Sequence, residues 1–474
     1  MLVERVKPEA VEWVPHDYQK NAIKFLLEHA CAGLFLDPGL GKTSISLAAF
    51  KILKNKLMAR GALVVAPLRV CYSVWPREVS KWEGFEHLKV VVLHGGQKEQ
   101  ALKEKADIYV INPEGLEWLF SNNRFKMLDV DTLIIDESSK FKHTNTRRYK
   151  TLRPVLHKFA RRWILTGTPA PNGLLDLFGQ IYILDMGRSF SPYITKFRQE
   201  FFTQTGFGGY TWVPKRGTEE RIHELLRPLV LRLEASDYLN LPQLVIDFIE
   251  VELPPKARKI YDDLENIMMA ELENAEIVTA LSAAAASMKC RHVANGGIYR
   301  QLEVAPATTS EEWEHLHNEK TAALCDLVDE LNGQPVLVAY EFRHDLDRIR
   351  RALPKAVYAA DYSAKKFPEI EAAWNAGEID VLVGQPQSVG HGLNLQGRNA
   401  EHVCWYSQIW DLEVYEQFIQ RVLRQGNKAL RVFVHHIVAK NTVDQAVIRA
   451  LKGKAKVQNR LLSALKDYRQ ERGK

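Results

Sequence analysis

Two short stretches of this 474-residue chain carry residue types at a spacing suited to phosphoryl chemistry. The first is Asp37-Pro38-Gly39-Leu40-Gly41-Lys42-Thr43-Ser44. Gly39 and Gly41 let backbone N–H groups turn inward around an anion, and a helix opening at Lys42 points its positive dipole end at the same place. Lys42 is suited to the outer phosphates and the Thr43 hydroxyl to magnesium, with Pro38, Leu40 and Ser44 completing the nucleotide-contacting run. Leu36 stands where the common form of this loop has its first glycine. The second stretch is the pair Asp136-Glu137, delivered by the apolar run at 132–135. Two adjacent acids at a strand tip divide the work of phosphoryl transfer: Asp136 to hold magnesium, Glu137 to orient and deprotonate the attacking water. Gln19, upstream of the loop, has a carboxamide that suits an adenine edge and equally suits a solvated helix face.

The elements around these residues alternate as a parallel α/β protein requires. Residues 34–36 read as a buried strand, 37–41 as a loop, and apolar positions at Ile45, Leu47, Ala48 and Ala49 as a helix. Continuous apolar runs at 61–67, 107–112, 132–135 and 163–165 read as strands covered on both faces. The last of these ends in Thr166-Gly167-Thr168-Pro169, a tight loop because each residue before proline is pushed out of helix. After a long stretch of mainly helical pattern at 253–292, strand and helix alternate again from residue 336, with a further strand at 379–384 leading to Ser388, Gly390 and Gly392. Residues 416–423 read as a helix that puts Arg421 and Arg424 on one face, and a helix after residue 340 has Arg343, Arg348, Arg350 and Arg351 on its outer face. Residues 203–217 hold four glycines with Phe207, Tyr210 and Trp212, which suit either base stacking or a surface loop pinned by its aromatics.

Composition limits the class. With 46% hydrophobic and 26% charged residues the chain is an ordinary globular one, long enough for two or three domains. No apolar run approaches the roughly 20 residues of a membrane span, and the charged start does not read as a secretory signal, so an intracellular, cytoplasmic location is expected. Five widely separated cysteines exclude a zinc site or disulfide framework. The net charge of +6 leans toward a polyanionic partner, and residues 451–474 concentrate it, with eight Lys/Arg against Asp467 and Glu471.

In order and spacing, Gln19, DPGLGKT, APLRV, DESSKFKH, LTGTP, the stretch LLRPLVLRLEASDYLNLPQ and the final QFIQRVLRQGN resemble the motifs of helicase superfamily two, and more closely its Swi/Snf-like branch of DNA-translocating ATPases. The resemblance implies two RecA-like parallel-sheet ATPase lobes in tandem with a mainly helical insertion. The implied boundaries are 1–235 for the first lobe, 236–310 for the insertion and 311–474 for the second lobe with a basic tail. It implies ATP and Mg2+ as cofactors, with the nucleotide between the lobes and Arg421 and Arg424 as arginine fingers from the second. Gln417 belongs to the same final motif, and with Thr166 and Thr168 it is assigned to coupling nucleotide state to motion. Pro67, Asn112, Lys140, Lys142, Ser388 and Gly390 take positions that contact nucleic acid, and Gly392 one that lines the nucleotide cleft. DNA, whether duplex, forked or branched, is the implied partner, bound through its backbone with little sequence preference. Ser138 and Ser139 depart from the family, which commonly has a histidine following Asp-Glu-Ala or Asp-Glu-Gly, so the usual contact from that histidine to the second lobe must differ. The absence of zinc or histone-reading appendages suggests a compact bacterial or phage translocase acting on replication or recombination intermediates. A strand-separating helicase, an ATP-gated clamp without productive turnover, and an RNA-directed enzyme are the rival readings.

Overall fold

Four- to six-residue apolar runs bounded by Gly, Pro and Asp become fully buried strands, because helices cover both faces of a parallel sheet. The computed structural model describes residues 10–170, 173–205, 211–239, 241–274, 280–299, 313–390, 393–397, 400–424 and 426–452. Two compact units divide the chain at residue 240.

In the first unit, seven strands form one parallel sheet: β1 (Cys31–Leu36), β2 (Ala62–Val65), β3 (Val90–Val92), β4 (Ile108–Ile111), β5 (Thr132–Asp136), β6 (Arg161–Thr166) and β9 (Val230–Leu233). Their order is β3-β4-β2-β5-β6-β1-β9. Since β6 lies between β1 and β5, the turns following all three strands meet at one edge, where open α/β sheets place ligands. Phe35, Leu63, Ile135, Ile164, Leu177 and Ile181 belong to the core on one face. Helices α1 (Asp17–Glu28), α2 (Lys42–Asn55), α3 (Leu68–Ser73) and α4 (Trp75–Lys81) precede or follow the first two strands. Between β6 and β9 a hairpin of β7 (Phe202–Thr205) and β8 (Thr211–Pro214) projects from the chain. Its Trp212 is half-buried against the core with the Arg198 guanidinium 5.7 Å from the ring, so the indole is pinned rather than presented. Phe207 and Tyr210 lie outside the described residues.

In the second unit, six parallel strands run in the order β10-β17-β16-β13-β15-β14. They are β10 (Gln243–Val251), β13 (Val336–Ala339), β14 (Val357–Tyr358), β15 (Val381–Gly384), β16 (His402–Trp405) and β17 (Arg431–Ala439), and β11 (Gly297–Tyr299) with β12 (Trp313–His315) forms a separate antiparallel pair. Residues 243–251, which the sequence places in the helical insertion, pair with β17 over nine positions, from Gln243 opposite Arg431 to Val251 opposite Ala439. The helices Pro255–Asn274 and Ala280–Asn295 likewise share a core with Ala439, Val443 and Ala446. The expected insertion is therefore integral to the second sheet and its covering layer. A long β-branched run reads as linker only until its partner strand, far along the chain, is known.

One arginine of the expected outer face is an interior group. Arg348 is 3% exposed and bonds Asp345 Oδ1 at 2.9 Å and the Asn295 carbonyl. Beside it, Lys320 and Asp444 form an ion pair of 2.6 Å with side chains 0% and 1% exposed. Lys320 also donates to Asn295 Oδ1 at 2.7 Å, so the buried charges are multiply satisfied and tie several elements together. Among the described residues no helix is long and apolar enough to cross a membrane.

Candidate nucleotide site

The phosphate loop follows β1 as its glycines require. Gly39 and Gly41 have φ of +91° and +80°, a region that side chains disfavour, and Gly41 caps the start of α2. A Cβ on Gly41 would also come within 2.6 Å of Gln19 Nε2. Gln19 is buried; its Oε1 accepts from the His16 backbone N–H at 3.0 Å and its Nε2 donates to the Leu40 carbonyl at 3.3 Å. It thus braces the loop from behind. Asp37 fixes the loop's entrance by accepting from the Ala235 N–H at 3.0 Å. Lys42 Nζ donates to the Leu36 carbonyl at 2.7 Å, a neutral acceptor that a phosphate oxygen can displace through a stronger, charge-assisted bond. Thr43 lies in the first turn of α2, whereas the Ser44 hydroxyl turns to Glu78 Oε2 at 2.9 Å. Pro38 and Leu40 sit within the loop itself, at 37–41.

Across β6, the acid pair ends β5. Asp136 is 8% exposed, and the Trp75 indole N–H donates to its Oδ2 at 3.0 Å. Burial pushes this carboxyl above its ordinary range, opposed by the Trp75 N–H and by the Lys42 ammonium. Glu137 takes a left-handed backbone, φ +57°, costly for a non-glycine residue and found where a turn must aim a functional side chain. A short turn of 3-10 helix, Ser138–Phe141, follows. Ser138 Oγ donates to Gln180 Oε1 at 2.7 Å, and Gln180 Nε2 donates to the Pro169 carbonyl at 2.5 Å and to the Asp176 carbonyl at 2.9 Å. The turn after the acids is in this way tied to the Thr166–Pro169 loop through a glutamine of the helix Leu177–Asp185. That helix approaches so closely that a Cβ on Gly179 would lie 2.3 Å from the Phe141 carbonyl. Thr166 Oγ1 accepts from the Thr168 N–H at 3.1 Å, while Thr168 Oγ1 is buried with no hydrogen-bond partner.

Among the described residues no three His, Cys, Asp or Glu side chains gather as a resident metal site. A buried carboxylate and a hydroxyl at a helix start are donor types suited to a magnesium that would arrive with a triphosphate and keep part of its water. Asp136 and Thr43 fit that ion.

In the second unit the helix runs Leu412–Ile419, beginning and ending four residues before the 416–423 that the sequence suggests. Past Ile419 the chain tightens, the Arg421 and Val422 N–H groups donating to the carbonyls three residues back, Phe418 and Ile419, at 3.1 and 3.0 Å, and the Arg421 carbonyl accepts from the Leu395 N–H at 2.9 Å. Arg421 and Arg424 therefore lie beyond the helix, and both guanidinium groups donate to the Leu393 carbonyl, at 3.1 and 3.3 Å. Arg424 also donates to Asn394 Oδ1. Gln417 is buried, and its carbonyl accepts from Arg421 Nε at 3.0 Å. The three residues of the final motif are thus one hydrogen-bonded group. Gly392 lies outside the described residues.

The residues expected to meet nucleic acid are less alike. Pro67 caps α3, Ser388 begins no further than the short helix Pro386–Val389, and Gly390 N–H donates to the Pro386 carbonyl at 2.7 Å. Asn112 is buried, its carboxamide on Glu114 Oε2 at 2.8 Å. Lys142 pairs with the buried Asp176 at 3.7 Å, and Lys140 sits on the turn after the acid pair. Trp75, Glu78 and Gln180 are site residues that no local motif announces. Tyr238, 46% exposed, lies 4.9 Å, ring to ring, from Tyr18, whose buried hydroxyl has no hydrogen-bond partner.

Comparison with known proteins places these features. The SNF2-related domain model matches residues 18–296, and the helicase conserved C-terminal domain model matches residues 319–426. A protein of Acyrthosiphon pisum secondary endosymbiont phage 1 is 35% identical, over 96% of this chain and 99% of its own. An uncharacterized ATP-dependent helicase of Mycoplasma genitalium is 25% identical over 91% of this chain, which spans 40% of that relative's length. A solved structure described as the Sulfolobus solfataricus SWI2/SNF2 ATPase core in complex with dsDNA aligns with 95% of this chain and 93% of its own, at 19% identity and a TM-score of 0.44.

Proposed function

Because this chain belongs to the SNF2-related family of helicase-type, nucleic-acid-dependent ATPases, we propose that it is a DNA translocase that hydrolyses ATP at the edge of its first sheet. The observation carrying this reading is the convergence of the loop after β1, the acid pair after β5 and the Thr166–Thr168 turn after β6, with β6 between the other two. Backbone N–H groups of residues 39–43 and the Lys42 ammonium hold the β- and γ-phosphates, Lys42 exchanging the Leu36 carbonyl for phosphate oxygen. Thr43 and Asp136 hold Mg2+, which when bound neutralises charge on the phosphate oxygens. Glu137 orients a water for in-line attack and accepts its proton as the γ-phosphoryl leaves ADP. Arg421 and Arg424 exchange their carbonyl partners for the γ-phosphoryl oxygens as charge builds there.

Contacts to DNA run through the phosphate backbone at Pro67, Asn112, Lys140, Lys142, Ser388 and Gly390, supplying affinity without sequence preference. The match to the SNF2-related domain model over residues 18–296 supports DNA over RNA as the proposed track. The likeness to a phage protein over nearly the whole of both chains agrees with a compact phage or bacterial translocase, and its proposed task is on replication or recombination intermediates in the bacterial or infected-host cytoplasm. ATP turnover measured with single-stranded, duplex and branched DNA and with duplex RNA tests the reading. DNA is expected to accelerate turnover, branched DNA most, and the acceleration to fall steeply with added salt. Equal turnover with and without DNA would refute it.

A further inference from the structure

We infer that helix α4 is a positioning bracket for the magnesium-holding groups, Trp75 fixing Asp136 and Glu78 fixing the start of α2. The inference rests on the reading of Asp136 and Thr43 as metal ligands and names the residues that aim them.

Trp75 is fully buried, and its indole has a single N–H to satisfy. A backbone carbonyl would satisfy it, yet it donates to a carboxylate oxygen 61 positions along the chain, Asp136 Oδ2, at 3.0 Å. That bond selects one orientation of the carboxylate, and Asp136 needs a selector, since it stands at the last position of β5 where the backbone ladder ends. One turn further along α4, Glu78 Oε2 accepts from Ser44 Oγ at 2.9 Å and from Trp82 Nε1 at 2.7 Å. Ser44 directly follows Thr43 on α2, so this acceptor sets the rotation of the helix turn that carries the Thr43 hydroxyl. A helix of seven residues therefore grips both expected ligand carriers, one through a donor and the other through an acceptor. α4 is itself held in line by the Glu78 N–H donating to the Val74 carbonyl at 2.8 Å, and by the Val74 N–H donating to the Val70 carbonyl of α3 at 3.1 Å. Groups that orient a metal ligand without touching the metal commonly change metal affinity by about 10–100-fold when removed.

The test uses Mn2+ as a spectroscopic stand-in for Mg2+, with the full-length protein saturated by a non-hydrolysable ATP analogue, free Mn2+ being read by electron paramagnetic resonance. Trp75→Phe keeps a ring in the space and removes the N–H. It is expected to weaken Mn2+ binding about tenfold or more, with metal-free nucleotide affinity unchanged and with turnover restored by raising Mg2+. Glu78→Leu, at a half-buried position, removes the acceptor while keeping the bulk; it is expected to weaken Mn2+ by a smaller factor and decides the matter should Trp75→Phe fail to fold. Wild-type Mn2+ affinity in folded Trp75→Phe, or in Glu78→Leu when that variant is the decisive one, would overturn the inference. Asp136→Asn separates the two levels. If it too leaves Mn2+ binding unchanged, the metal site itself has been misplaced; if it abolishes binding while the α4 variants do not, only the bracket falls.

Discussion

The acid and phosphate groups of the first unit and the arginines of the second are held in opposite ways. Asp136 is fixed by Trp75 from another helix, Ser138 by Gln180, and Gln19 by the loop it supports, each bond joining separate elements of a single buried sheet edge. Arg421 and Arg424 rest on the carbonyl of Leu393, a loop residue, just past the end of their helix. The first arrangement is preorganised and cannot change without moving the core. The second consists of charge-to-carbonyl bonds that an anion replaces with stronger ones. On the proposed reading the arginines are parked until charge builds on the phosphoryl group, as Lys42 is on the Leu36 carbonyl, while the acid pair and its supports are built in.

The comparison is broken most directly at the arginines. If they respond to the transferred phosphoryl, the double variant Arg421→Ala/Arg424→Ala loses about 10³–10⁵-fold in kcat, and ATP affinity in equilibrium binding changes little. A loss confined to KM would make them binding groups instead. Glu137→Gln is expected to lower kcat by about 10²–10⁴-fold while ATP-dependent DNA binding persists, which filter binding on duplex DNA would check; a clamp that does not need turnover would be indifferent to the change. Next in size is a contrast in stability. Lys320→Met leaves Asp444 buried and unpaired, so thermal unfolding should show the second unit destabilised by about 3–5 kcal/mol. Smallest is Ser138→Ala, which removes one donor from the buried Gln180 and should destabilise the first unit by about 1–3 kcal/mol, read from denaturant midpoints. Should Ser138→Ala reduce turnover with no change in stability, the link to the Thr166–Pro169 loop would be dynamic rather than architectural.

Much of the site was legible because its parts are local. The phosphate loop is eight consecutive residues whose glycines must turn, and the acid pair is announced by the apolar strand before it. What could not be read were the partners. Gln180 meets Ser138 across 42 positions and Trp75 meets Asp136 across 61, and no periodicity connects residues that far apart. The end of the helix before Arg421 was hidden because apolar spacing continues through Val422 and Leu423 while the backbone there has already tightened to three-residue hydrogen bonds. Residues 243–251 were assigned to an insertion because nothing nearby reveals that their edge partner is 431–439. Arg348 was placed on an outer face by helical spacing, which cannot foresee a buried Asp345 three residues away and a carbonyl of another helix closing around it. Ser138 and Ser139 depart from the family's usual residues, and Ser138 spends its hydroxyl within the first unit, on Gln180.

Gly179 carries one more implication. With no side chain at that position, the backbone of its helix lies flush on the Phe141 carbonyl, and even a methyl group would have to wedge the two apart. There is consequently no slack at this seam. A shift of the Ser138–Phe141 turn toward this seam therefore meets the backbone of the neighbouring helix directly, with no side chain between them to absorb it.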